Sequence, residues 1–171
     1  SIILHHETKS FSSWHHHPEF ELVLIIKGKG KRMVGDNIDR FKPNDLVLVG
    51  SYLPHAWICD CEYDDHPSGF QGEAIVYQFM YDFLGARFFE IPEHRELRHL
   101  LRKSSRGLKF TGKTKERIIS IMVDSYNLAG PDRLHSLLSI FRILSRTKEY
   151  TILSGEGFME PYHQEGNESI Q

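Results

Sequence analysis

Three imidazoles and a carboxylate stand in this chain at spacings that suit a metal ion. The stretch Trp14-His15-His16-His17-Pro18-Glu19-Phe20-Glu21-Leu22 is answered further on by Leu53-Pro54-His55. Residues two apart in extended chain face the same way, so one unbroken strand would aim His15, His17 and Glu21 at a common side. Imidazole and carboxylate are ligands for zinc, nickel, iron and manganese, and His55 supplies a fourth group to close the site. The sequence makes no cofactor certain; a divalent metal held here would be zinc or nickel in preference to a catalytic iron. Pro18 can set a bulge between His17 and Glu21. Glu19 has the parity to stand in for Glu21, and His16 should point outward. The same side chains also suit a polar lining bonded to itself and to water, and the sequence leaves both readings open.

Short strands must position these groups. Phe20 to Ile26 is rich in Leu, Val and Ile, as strands are. Lys31 to Val34 and Ile38 to Phe41 flank Gly35-Asp36-Asn37, a hairpin connection. Leu46 to Val49 is wholly apolar and reads as a strand buried on both faces. His55 to Cys59 and Glu73 to Phe79 follow, separated by a polar loop, and residues 2–4 suit an edge strand. After Pro92 the apolar period lengthens: Leu97, Leu100 and Leu101, then Ile118, Ile121 and Met122, then Leu134 to Leu144 repeat at helical spacing. Lys103 to Thr114 reads as a basic connector. Strands first and about three helices after them make an α+β pattern.

With 171 residues, 40% hydrophobic and 12% aromatic, the chain has enough apolar mass for a core and is not disordered as a whole. A formal charge of -2 gives no bulk attraction to nucleic acid or membrane. The charge is uneven: residues 1–91 carry 8 basic and 13 acidic side chains, residues 92–171 carry 13 and 10. The basic run from Arg95 to Arg117 fits a solvated helix face better than contacts to DNA phosphates or to another domain. Cys59 and Cys61 are too close along a strand to bridge well, which favours reduced thiols and a cytoplasmic setting. No apolar run is long enough to span a membrane.

The pattern His-x-His-x3-Glu-x6-Gly from His15 to Gly28 resembles the first motif of the cupins. Gly35 to His55, with Pro43-Asn44-Asp45, resembles the second. Trp14 to Leu22, Ser105-Arg106-Gly107-Leu108-Lys109-Phe110 and the Arg133-to-Leu144 helix resemble the N-terminal domain of AraC-type transcriptional regulators. The resemblance implies an α+β fold in which a cupin-like β-barrel, a jelly roll, precedes about three α-helices. It divides the chain into an effector-binding barrel over 1–91, a helical dimerisation segment over 92–153 and a linker over 154–171. That linker would lead toward a helix-turn-helix DNA-binding domain not contained in this chain.

The function implied is sensing and dimerisation for a bacterial regulator rather than catalysis. Its partners would be a small-molecule effector such as a sugar, a second copy of the chain, and DNA through the absent domain, with no membrane. Trp14, Glu19, Phe41, Tyr52, Trp57 and Tyr77 are the candidates to wall the effector site, although any single aromatic is more often a core residue. Leu134, Leu137, Ile140, Phe141, Ile143 and Leu144 are the dimerisation candidates. A helix apolar over so wide an arc must bury two sides, against a second protomer or within its own chain. The alternative function is a metal-dependent cupin enzyme, a dioxygenase or sugar isomerase, with Arg32 and Arg40 as the arginines that could face its substrate.

Overall fold

The computed structural model describes the backbone of residues 2–7 and all atoms of residues 13–60 and 72–156. Cys61 and most of the expected linker, residues 157–171, lie outside the described residues. Seven strands come first: β1 Ile2–Glu7, β2 Phe20–Lys27, β3 Gly30–Val34, β4 Asn37–Phe41, β5 Leu46–Val49, β6 His55–Cys59 and β7 Glu73–Phe79. Three helices follow, α1 Arg95–Lys103, α2 Gly112–Ser125 and α3 Gly130–Leu144. Two short strands are set among them, β8 Leu108–Phe110 and β9 Tyr150–Ile152.

The expected closed barrel is not what forms. The strands make two open sheets, one of six strands in the order β1-β7-β2-β5-β8-β9 and one of three in the order β4-β3-β6. Every described pairing is antiparallel. Barrel closure would need the small sheet to continue the ladder of the large one. Instead the free edge of β5 is taken by β8, and β9 then pairs with β8. Both come from the helical half of the chain, β8 from the stretch that reads as a connector and β9 from beyond the last helix. Leu108, Lys109 and Phe110 do alternate buried, half-buried and buried, but three residues are too few to stand out as a strand.

Layering explains the apolar runs. Along β2, Phe20, Leu22 and Leu24 belong to a core shared with the helices, while Val23 and Ile25 belong to a second core between the sheets. Strand β5 divides likewise, Leu46 and Leu48 to the helices and Val47 and Val49 to the small sheet. A central sheet covered on both faces has no polar face to spare, hence Leu46-Val47-Leu48-Val49 without a break. Strands β3 and β4 join through Gly35-Asp36, with Gly35 at a positive φ of 56° and Val34 opposite Asn37.

The helices sit where their period places them. Pro131 lies in the first turn of α3, with Asp132 there and Arg142 in the last turn, each of the sign that suits the helix dipole. Leu137, Ile140, Phe141, Ile143 and Leu144 are buried in the helix-side core. Phe141 stands against Phe79 and Phe89, with ring centroids 5.1 and 5.5 Å away.

Candidate metal centre

Strand β2 begins only at Phe20, so His15 and His17 are not on the strand that carries Glu21. Proline has no N–H to give a ladder, and Pro18 marks where the chain leaves the large sheet. Residues 13–19 cross instead to the small sheet. His15 N–H donates to the His55 carbonyl at 3.2 Å, and His55 N–H donates back to the His15 carbonyl at 3.0 Å. The adjoining loop is tied as well: Tyr52 N–H donates to the His17 carbonyl at 2.7 Å, and the Ser51 hydroxyl donates to the Pro18 carbonyl at 2.6 Å. Glu21 comes from the large sheet and His55 from the small one, so the site spans the two.

The result brings together one ligand atom from each of His15, His17, Glu21 and His55, all within 4.8 Å of one another. Glu21 is 7% exposed and His55 1%. All three rings are oriented through Nδ1. The partner is the carbonyl of Ser13 for His15 at 2.7 Å, of Glu19 for His17 at 3.2 Å, and of Leu53 for His55 at 2.7 Å. A carbonyl accepts only, so each Nδ1 carries the proton and each Nε2 is turned toward the cluster. The Nε2 atom of His55 is buried and has no hydrogen-bond partner, lying 3.5 Å from Glu21 Oε2. A buried lone pair facing a carboxylate and two further imidazoles is the donor set of a divalent cation, and the cluster can hold one.

Without an ion, a proton fills part of that role. His17 Nε2 donates to Glu21 Oε2 at 2.6 Å, which holds the His17 imidazole charged above its ordinary range, against the opposing effect of burial. Burial by itself would raise the Glu21 carboxyl. The hydrogen bond from His17 and the ring of His55 outweigh it and keep Glu21 well below the usual carboxylate range. Gln78 on β7, directly opposite Glu21 in the ladder, donates to the same oxygen at 3.2 Å. The sequence carries no sign of Gln78, because its role follows from strand register alone.

Residues 2–129 match the family described as the AraC-like ligand binding domain. The chain belongs to that family. No curated protein matches it. Among solved structures, the AraC-like transcriptional activator CuxR superposes with a TM-score of 0.54 and 8% identity, over 86% of this chain and 55% of that one. That likeness is one of fold. ToxT from Vibrio cholerae, solved with an unsaturated fatty acid bound, matches with a TM-score of 0.44 and 10% identity over 82% of this chain and 51% of that one. A variant of Bacillus subtilis oxalate decarboxylase OxdC matches with a TM-score of 0.32 and 20% identity, over 48% of this chain and 24% of that one. The chain spans about half the length of CuxR and ToxT.

Within this AraC-like domain the other candidates fall into three groups. Near the cluster, Trp57 is buried with its ring 5.7 Å from that of His55, and Glu19 Oε2 lies 3.4 Å from His17 Nδ1. Tyr52 and Trp14 are half exposed on the flanking loops. Phe41 is packed in the core between the sheets. Tyr77 faces the helices, where its hydroxyl donates to Ser125 Oγ at 2.8 Å. The dimerisation candidates Leu137, Ile140, Phe141, Ile143 and Leu144 are covered by their own chain, and Leu134 is half-buried.

Arg40 is exposed, and the other arginine expected to face a substrate is Arg32. It stands between Asp39 and Trp57 in the small sheet and is fully buried. Its Nε and both terminal nitrogens lack hydrogen-bond partners, with the Asp39 carboxylate 3.7 Å away. The indole Nε1 of Trp57 is buried and unpartnered too. Among the described residues, no helix is long and apolar enough to cross a membrane.

Proposed function

We propose that this domain senses a small molecule for a DNA-binding transcription regulator, and that a zinc or nickel ion held by His15, His17, Glu21 and His55 forms part of the sensing site. The three carbonyl-anchored imidazoles carry the metal reading: each backbone acceptor holds Nδ1 and leaves Nε2 as the nitrogen for the ion, unpartnered in His55 and bound to Glu21 through a displaceable proton in His17. Family membership supports the sensing role. The unspent N–H groups of Arg32 and Trp57 in the same inter-sheet space favour an effector rich in oxygen acceptors, such as a sugar, because buried donors gain most from a partner. In the regulator the domain would act as a cytoplasmic homodimer joined to a DNA-binding half. The effector would then shift that half by no more than its differential affinity for two arrangements.

Metal analysis of the untagged chain beside His15→Ala and His55→Ala tests this. Near-stoichiometric zinc or nickel, lost in both variants, is the expected result. Absence of metal from a folded wild type that also fails to take up added zinc would sink the metal reading.

The same four ligands are the ground for a second reading, a cupin enzyme acting as a dioxygenase or sugar isomerase. Stoichiometric iron in the purified chain, with oxygen uptake on a small substrate, would favour it over the sensor.

A further inference from the structure

A groove of about 500 Å³ lies behind the metal loop, on the helix side of the six-stranded sheet, lined by Phe20, Ser51, Tyr81, Arg98, Leu101, Arg102 and Ser105. Its volume falls in the usual range for small-molecule sites. The wall is mostly apolar, made by Phe20, Leu101 and the Tyr81 ring. The polar lining is cationic, and no carboxylate contributes to it. Arg98 and Arg102 are one turn apart on α1 and so share a face. Arg98 spends one N–H group on the Phe89 carbonyl at 2.8 Å. Arg102 is exposed and, among the described residues, has no ion pair or hydrogen bond, and neither does the Ser105 hydroxyl. The Glu90 carboxylate accepts from the Tyr81 hydroxyl at 2.5 Å.

We propose that this groove binds an amphipathic organic anion, its acidic head held by Arg102 and Arg98 and its apolar body laid on Phe20 and Leu101. A guanidinium fork matches a planar or tetrahedral oxyanion, and two forks one turn apart give a doubly held head group. An uncharged apolar molecule would leave both guanidiniums unused. A strongly polar anion such as free phosphate would leave the apolar wall wet. Only a molecule with both parts uses the whole lining. The site is separate from the space between the sheets and does not depend on a bound metal. It is nonetheless adjacent to the metal loop, because Ser51 both lines the groove and holds the Pro18 carbonyl next to His17.

Two fluorescent probes with the same ring system separate the head group from the body. One is 8-anilinonaphthalene-1-sulfonate, and the other is N-phenyl-1-naphthylamine, which lacks the sulfonate. Titrated into the chain, the sulfonate should bind saturably and at least about tenfold more tightly than the amine, a difference one charge-assisted contact supplies. Arg102→Gln, at an exposed position, should keep its melting temperature and erase that gap. Ser105→Phe should fill the groove and remove both probes. Added EDTA should change neither, which keeps this result distinct from the metal reading. Arg142→Gln, in a different basic groove, should also change neither. Equal affinity for the two probes, a gap that survives Arg102→Gln, loss of binding in Arg142→Gln, or no saturable binding would each overturn the proposal.

Discussion

His15 and His55 hold each other by their main chains, N–H to carbonyl in both directions at 3.2 and 3.0 Å, with ring centroids 4.4 Å apart. Two members of the cluster forty residues apart in sequence thus share one backbone bridge. Their relative position is set by hydrogen bonds that no side-chain substitution removes. Glu21, from the other sheet, depends on side chains for its place, accepting from His17 and Gln78.

The first expectation concerns Glu21. Glu21→Gln keeps the shape of the side chain and removes its charge. The neutral amide leaves three imidazoles without a counter-ion. Zinc affinity, measured by competition with a chelator, should fall by more than the roughly 10–100-fold that loss of an outer-shell partner costs. Gln78→Leu, which removes only a hydrogen bond to the carboxylate, should stay within that range. Equal losses in the two variants would mean that Glu21 is not a ligand.

Arg32 should behave unlike a structural ion pair. Burial pulls its pKa down against the opposing pull of Asp45 and Asp39, and its nitrogens gain no hydrogen bond in return. Replacing a whole buried ion pair with apolar side chains is often neutral or stabilising, by about 1–4 kcal/mol, and here the partners are not stranded by loss of Arg32, because Asp39 is exposed and Asp45 also faces Lys109. Arg32→Met is therefore expected to raise or preserve the urea midpoint while weakening the response to the effector. A fall of several kcal/mol would show that Asp39 and Asp45 need the guanidinium for folding.

Leu137 separates intrachain burial from a dimer contact. It is fully buried within one chain. Leu137→Ala should cost about 2–5 kcal/mol, as large-to-small changes in a core do. The loss should be the same at every protein concentration. A melting temperature that falls more at low concentration than at high would instead place Leu137 between protomers.

Tyr81 gives a pH test. Burial and the hydrogen bond to Glu90 push its hydroxyl up to about 12 from an ordinary 10. A group whose folded pKa is raised contributes stability that is fully present below its unfolded value. Here that contribution persists to about pH 10 and is lost between there and 12. Tyr81→Phe should be destabilised by about 1 kcal/mol at neutral pH. The deficit should shrink above pH 10. The variant should also lack the last phenolate step seen at 295 nm. An unchanged titration curve would place the Tyr81 hydroxyl in water.

The candidate metal ligands were legible because the residue types are few and the spacing short. His15, His17, Glu21 and His55 do converge. The route differs, however: parity on one strand suggests the grouping, whereas a loop broken at Pro18 and bridged to β6 produces it. The periods of α1, α2 and α3 and the two-faced burial of Leu46 to Val49 were equally open to reading. Each is a local pattern of side chains repeated at the pitch of its own element.

Sequence alone thus determined the first seven strands and the three helices, the candidate ligand set and, through its motifs, the family. Only the tertiary structure decided that the sheets stay open, since β8 reaches β5 from more than fifty residues away and β9 adds on beyond it. It also turned Tyr77 toward the helices and Trp57 toward the metal cluster, buried Arg32, and covered α3 with its own chain. It placed Gln78 on Glu21 and formed the groove at Arg102 from four separate segments. The physical reason is the same throughout. Period and propensity act between neighbours along the chain, while register, sheet edges and the partners of a buried charge are fixed by segments that meet only when the chain is folded.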